Sequence, residues 1–163
     1  MKVRRIERRD RPRLEAILYA QDHFKSAEVE AALDFIDITL TQPHQRDYTI
    51  LCAESGSGEV QGYVCYGPTP LTDRVYDLYW IAVNPAFWNR GTGSALLRRM
   101  EEELARRRAR MVLIETSSLP TYESPRTFYE KHGYREQARV PNFYAAGEHK
   151  LIFSKPLPGE KKT

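Results

Sequence analysis

No run of apolar residues in this chain approaches the ~20 that a membrane-spanning helix needs. The N-terminus, MKVRRIERRDRPR, is basic but has no apolar segment behind it, which excludes a secretory signal peptide. Cysteine is scarce: two in 163 residues exclude a disulfide-built secreted scaffold. No Cys/His cluster has zinc spacing, so no metal is expected. Charge of one sign is also lacking. A formal net charge of +3 is too small to require a nucleic-acid partner. The arginines at 4, 5, 8, 9, 11 and 13 and at 106, 107, 108 and 110 are interspersed with acids and carry no interleaved aromatics. Repeats and low-complexity segments are absent too. With 41% apolar and 29% charged residues, the composition is that of a cytoplasmic single domain over residues 1–157, with a frayed tail at 158–163.

What is present reads as β-α-α-β-β-β-α-β-α-β-β. Lys2–Ile6 is a short strand. Leu14, Ile17, Leu18 and Gln21 share one face of a first helix. Val29, Ala32, Leu33, Ile36 and Leu40 recur at helical spacing in a second, with Ser26 as its N-cap and Pro43 as its stop. A hairpin follows: Tyr48–Glu54, a Ser-Gly-Ser-Gly turn, then 59–66. The run VYDLYWIAV (Val75–Val83) suits a central strand covered on both faces. Strand alternation puts Asp77, Tyr79, Ile81 and Val83 on one side of it. Ser94–Arg108 is a helix with a buried stripe of Leu96, Leu97, Met100 and Leu104 and with Arg/Glu pairs at i,i+4 on its wet side, Arg99–Glu103 among them. Met111–Glu115 is a second buried strand. A short helix, Pro125–His132, ends at Gly133. Two more strands, 134–140 and 150–153, flank a turn at Ala145-Ala146-Gly147. The fold class is a mixed α/β (α+β) sheet, mostly antiparallel, flanked by helices.

The stretch that carries chemistry is IAVNPAFWNRGTGSALLRRM, a buried strand that passes through Arg90-Gly91-Thr92-Gly93 into a helix. Glycines let a backbone approach a ligand closely, and the free N–H groups at a helix start attract an anion such as a pyrophosphate. The third glycine of a dinucleotide motif and the Gly-Lys-Ser/Thr of a P-loop are both missing. A tight strand-to-helix turn would use the same glycines.

Here the sequence resembles the GNAT acetyltransferase superfamily, which uses acetyl-CoA. That family's [Gln/Arg]-x-x-Gly-x-[Gly/Ala] signature corresponds to Trp88-Asn89-Arg90-Gly91-Thr92-Gly93, with Trp88 in place of Gln or Arg. Val83-Asn84-Pro85 before it, Ala95-Leu96-Leu97 after it, and Arg126-Thr127-Phe128-Tyr129-Glu130-Lys131-His132-Gly133-Tyr134 further on agree as well. The resemblance covers about residues 48 to 155 and leaves the first helix pair as a variable acceptor lobe. It implies that main-chain N–H groups from Trp88 to Ser94 hold the pyrophosphate of CoA and that main-chain groups of Ile81, Ala82 and Val83 pair with the pantetheine arm. Arg126 belongs to the same cofactor-binding set.

The resemblance also implies direct acetyl transfer in a ternary complex to an amine acceptor, a small molecule or a protein amine. An amine of pKa ~10.4 must lose a proton, and the departing thiolate must gain one. Tyr129 is the implied proton donor; a packing tyrosine bonded to the backbone is the structural reading of the same residue. Asp77 and Glu115 compete as the base, with preference for Glu115, and water relayed by carbonyls is a third route. The acceptor site draws on Gln21–Phe24, the acidic face of Glu28, Glu30, Asp34 and Asp37, and Ser117, Ser118, Tyr122 and Tyr144. Solvated helix charges and rim packing would explain these residues equally. Cys52 and Cys65 read as buried reduced thiols and His132 as a helix cap. A non-catalytic acyl-CoA-binding module of the same fold is the alternative reading. A homodimer through the C-terminal strands is compatible with the family.

Overall fold

A computed structural model describes residues 1–158. The expected tail at 158–163 lies, from 159 on, outside the described residues. The chain forms β1 (Lys2–Arg5), α1 (Arg11–Tyr19), α2 (Ser26–Thr41), β2 (Thr49–Glu54), β3 (Val60–Pro68), β4 (Val75–Val83), α3 (Thr92–Arg106), β5 (Met111–Ser117), α4 (Glu123–Lys131), β6 (Arg135–Ala145) and β7 (Glu148–Pro156). Single 3-10 turns lie at Arg8–Asp10, Pro85–Phe87 and Pro120–Tyr122.

The seven strands make one sheet in the order β1-β2-β3-β4-β5-β7-β6. Among the described residues only β4 and β5 pair in parallel. Both faces are covered. Leu51, Val64 and Leu78 face the α3 stripe of Leu96, Leu97, Met100 and Leu104. Ile50, Cys52 and Cys65 face Leu14, Ile17 and Leu18 of α1 and Ile36 of α2. Neighbours in sequence such as Ile50 and Leu51 thus serve opposite cores, as strand alternation requires. Each buried Leu or Ile contributes roughly 1.5–3 kcal/mol, so the four α3 side chains alone fix that helix on the sheet.

Several boundaries differ from the sequence reading. Helix α2 begins at Ser26, and its cap is Lys25, whose N–H donates to the Glu28 carboxylate at 2.8 Å. Helix α3 begins at Thr92 because Gly91, at φ 83°, turns the chain in the left-handed region directly before it; it closes two residues early as Arg108 takes φ 57°. Glu103 does not stay on the wet side. It accepts from the Tyr66 hydroxyl at 2.9 Å while pairing with Arg99 and Arg5, and so ties α3 to β3 and β1. Strand β6 ends five residues beyond its apolar pattern, because 141–144 bulge out between Val140↔Lys150 and Ala145↔Glu148.

A bulge in β4 corrects the parity argument. Cys65 pairs with Trp80 and Tyr66 with Leu78, leaving Tyr79 as the extra residue. Asp77 and Tyr79 therefore keep to the face of α1 and α2, whereas Ile81 and Val83 pack with the α3 core. At the other edge, Arg4 bridges Asp10 (2.7 Å) and Glu54. Burial pushes the Asp10 carboxyl up, but the Arg4 guanidinium and the Glu7 N–H offset this and hold it below the usual carboxylate range.

Candidate active site

The sheet opens where β4 and β5 part. Their pairing runs from Val75↔Met111 to Leu78↔Ile114 and stops, although β4 continues to Val83 and β5 to Ser117. Past that point each strand turns a free edge toward the other. On β4 this edge is set by register. Asn84 N–H donates to Gln61 O, so the next pair inward, Val83↔Gly62, is a non-bonded one, and the alternation repeats. Ile81 and Val83 therefore point their N–H and C=O away from β3. Ala82, expected to pair with a ligand, points its main chain to β3 instead. The Val83 carbonyl is also occupied. It accepts from the Trp88 indole at 2.8 Å and from the buried Gln21 amide at 3.0 Å, which fills both lone pairs. The Ile81 amide unit and the Val83 N–H remain.

The loop after β4 ends in six consecutive main-chain N–H groups, Asn89 to Ser94, that donate to no group among the described residues. Trp88, expected to belong to this series, does not: its N–H donates to Pro85 O at 3.2 Å. Asn89 (φ 59°) and Gly91 (φ 83°) take left-handed conformations that bring these groups to the start of α3. A Cβ on Gly91 would meet nothing within 4 Å, so that side of the loop is open. Gly93 serves packing: a Cβ there would lie 3.3 Å from the Phe128 ring. Ser94 Oγ is 3.0 Å from His132 Nε2, and His132 Nδ1 is 2.8 Å from Phe128 O. The carbonyl can only accept, so in the neutral ring Nδ1 carries the proton and Ser94 donates. His132 thus caps α4, as expected, and also pins the loop. An anion with several oxygens fits this row of N–H groups and the helix dipole behind it.

Below the divergence of β4 and β5 lies a cavity of about 460 Å³. Asp77, Glu115 and Tyr129 all line it. The phosphate-type loop and Arg126 do not. Arg126 spends one guanidinium nitrogen on the Ser117 and Leu119 carbonyls, at 2.7 and 2.9 Å, and so braces the end of β5. Tyr129, on α4, is only 7% exposed, and its hydroxyl has no hydrogen-bond partner among the described residues. Burial pushes its pKa up. A tyrosine that keeps its proton and has no partner is a donor in waiting. The structural alternative, a hydroxyl bonded to the backbone, does not occur.

The two carboxylates differ. Asp77 is half-buried and accepts from Thr69 Oγ1 at 2.8 Å. Burial pushes its pKa up, the charge of Glu115 adds to this, and Thr69 and Lys150 oppose it. The Glu115 side chain is half-exposed and paired with Lys150 Nζ at 2.8 Å. Of the expected acceptor residues, Phe24, Glu28, Ser117, Tyr122 and Tyr144 reach the cavity. Asp37 is taken by Arg11. Sequence reasoning missed Glu148, 6% exposed, which accepts from Ser117 Oγ at 2.9 Å and from Lys25 Nζ at 2.7 Å. It also missed Lys25 and Trp80. Among the described residues no group of three or more His, Cys, Asp or Glu side chains is placed to hold a metal ion.

The comparisons with known proteins agree with this geometry. The family model of the acetyltransferase (GNAT) domain matches residues 46–136. A solved structure described as an acetyltransferase of the GNAT family from Desulfovibrio desulfuricans is 31% identical over 96% of this chain and 99% of its own, with a TM-score of 0.90. The ribosomal-protein-S18-alanine N-acetyltransferase of Escherichia coli (18% identity, 99% and 97% covered, TM-score 0.77) shares the fold. So does an aminoglycoside 6'-N-acetyltransferase complexed with coenzyme A (17%, 99% and 100%, 0.76). No curated protein sequence matches the chain.

Proposed function

The chain belongs to the GNAT acetyltransferase family, and on that premise we propose that it moves the acetyl group of acetyl-CoA directly to a primary amine in a ternary complex. The observation that carries this reading is the parting of β4 and β5 over a cavity that gathers Tyr129, Asp77 and Glu115. Acetyl-CoA enters as a substrate. The N–H groups of Asn89 to Ser94 hold its pyrophosphate, and the Ile81 amide unit and Val83 N–H take the pantetheine arm as an added strand.

Asp77 takes a proton from the acceptor ammonium, directly or through water, and passes it to solvent. The neutral amine forms a C–N bond to the thioester carbonyl carbon, and the C–S bond breaks. Tyr129 gives its hydroxyl proton to the leaving sulfur and recovers one from the nitrogen. Its hydroxyl, kept neutral by burial of the side chain, supports the donor role. The raised pKa of Asp77 supports it over Glu115 as the base, since Glu115 is already matched with Lys150. A cytoplasmic setting, where thiols stay reduced, suits the two free, buried cysteines. A homodimer would form through β6, the sheet-edge strand exposed along its length.

Initial rates of thiol release over a grid of acetyl-CoA and amine concentrations test the reading. Intersecting double-reciprocal lines are expected. Parallel lines would overturn direct transfer. Acetyl-CoA binding without turnover for any amine in a broad panel would make the chain a binding module.

A further inference from the structure

The cavity has two acidic poles. At one, Asp77 and Glu115 lie within each other's field, with Lys150 as their counter-charge. At the other, Glu28 and Glu148 flank Tyr122, whose hydroxyl donates to Glu28 at 2.8 Å. Tyr144 lines the cavity as well, and the charges of Glu115, Glu28 and Glu148 all act on its hydroxyl. Four carboxylates face only the two ammonium groups of Lys25 and Lys150, an excess of negative charge that suits a cationic ligand.

Two observations take this beyond a cluster of acids. Tyr129, a residue more than nine-tenths buried, lines the same cavity, and its hydroxyl has no partner among the described residues, which marks where a reacting group belongs. In addition, the second pole already holds a primary ammonium. Lys25 reaches 123 residues along the chain to Glu148, and its side chain is 54% exposed while the Glu148 side chain is 7% exposed. The fold has therefore desolvated the carboxylate, and the cation on it is tethered by a flexible stem that can swing into solvent. Ser117 holds the other carboxylate oxygen and keeps it in place. Trp80, Tyr122 and Tyr144 provide aromatic walls that suit methylene groups and stabilise a nearby cation.

We propose that the acceptor is a short linear diamine, whose reacting amine lies at Asp77 and whose second ammonium displaces Lys25 from Glu148. This rests on the acetyl-transfer reading and names its substrate. The exchange at Glu148 replaces one ammonium by another, so no new charge is buried. A monoamine has nothing to offer the Glu148 pole and leaves Lys25 where it is.

Calorimetric titration of 1,4-diaminobutane and of n-butylamine into the CoA-saturated protein tests this without turnover, and diamines of three to six carbons extend the series. The best diamine should bind at least about tenfold more tightly than n-butylamine. Glu148→Gln should remove the preference. Lys25→Met, which removes the competing cation, should tighten diamine binding about tenfold; it decides the matter if Glu148→Gln does not fold. Equal affinities in the native protein, absence of diamine binding, or a Lys25→Met variant that gains nothing would overturn the proposal. Failure of the acetyl-transfer reading looks different: acetyl-CoA does not bind, whatever the amines do. Monoamines acetylated as readily as diamines would overturn the diamine alone.

Discussion

The Tyr129 ring is buried, but its hydroxyl has no hydrogen-bond partner among the described residues and lies at the wall of the cavity, free to serve a ligand. Tyr129→Phe should therefore cost no stability, leave acetyl-CoA affinity unchanged and lower kcat about a hundredfold, measured by thermal unfolding, calorimetry and thiol release. Asp77 has the opposite tension. Its pKa is raised in the fold because burial penalises the ionised form, so ionisation takes stability away as pH rises through the folded value. Asp77→Asn should be more thermostable than the native protein at pH 7. The difference should vanish below the ordinary carboxylate pKa of ~3.9, where both forms are neutral. The same variant should lose turnover, and the acid limb of the native kcat profile should lie above that ordinary value. The placing of Tyr129, Asp77 and Glu115 at one site was expected from the family resemblance around residues 126–134 and from acids in apolar strands, and all three line the cavity; the preference for Glu115 over Asp77 did not foresee the Glu115–Lys150 pair. Glu148 and Lys25 were not expected there. They meet across 123 positions, and only the pairing of β7 with β5 brings Glu148 to the cavity.

At the scale of elements, the β4 bulge and the left-handed turn before α3 shape the site. Neither has a side-chain signature apart from Gly91. The bulge puts Asp77 and Ile81 on opposite faces of one strand, and strict alternation could not foresee it. Gly91→Glu would place a strained backbone and a negative charge beside the free N–H row. It should abolish acetyl-CoA binding while leaving the fold intact, since a side chain there meets open space. Gly93→Val should act differently, pushing on the Phe128 ring and lowering thermal stability as α4 shifts. The helix faces of α1, α2 and α3 were legible from apolar spacing alone, and their stripes are the buried ones. Their ends were less so, because caps and left-handed residues decide them.

For the whole molecule, the sheet separates two cores and the site lies where the sheet itself comes apart. The Arg4–Asp10–Glu54 bridge holds the first strand and the start of α1 to this frame. Arg4→Ala should cost about 3 kcal/mol in chemical denaturation at pH 7, as it leaves Asp10 buried and unpaired. Because Asp10 titrates below the usual range in the fold, its contribution is present above the ordinary carboxylate pKa and is lost as pH falls through the folded value. The order of elements along the chain was legible from run lengths and breaks; the order of strands in the sheet and the parting of β4 and β5 depend on tertiary pairing and were not. The decisive experiment is calorimetric titration of acetyl-CoA into the native protein and into Gly91→Glu. One-to-one micromolar binding by the native protein, lost in the variant, is the expected result. No binding by the native protein, or equal binding by both, would contradict it.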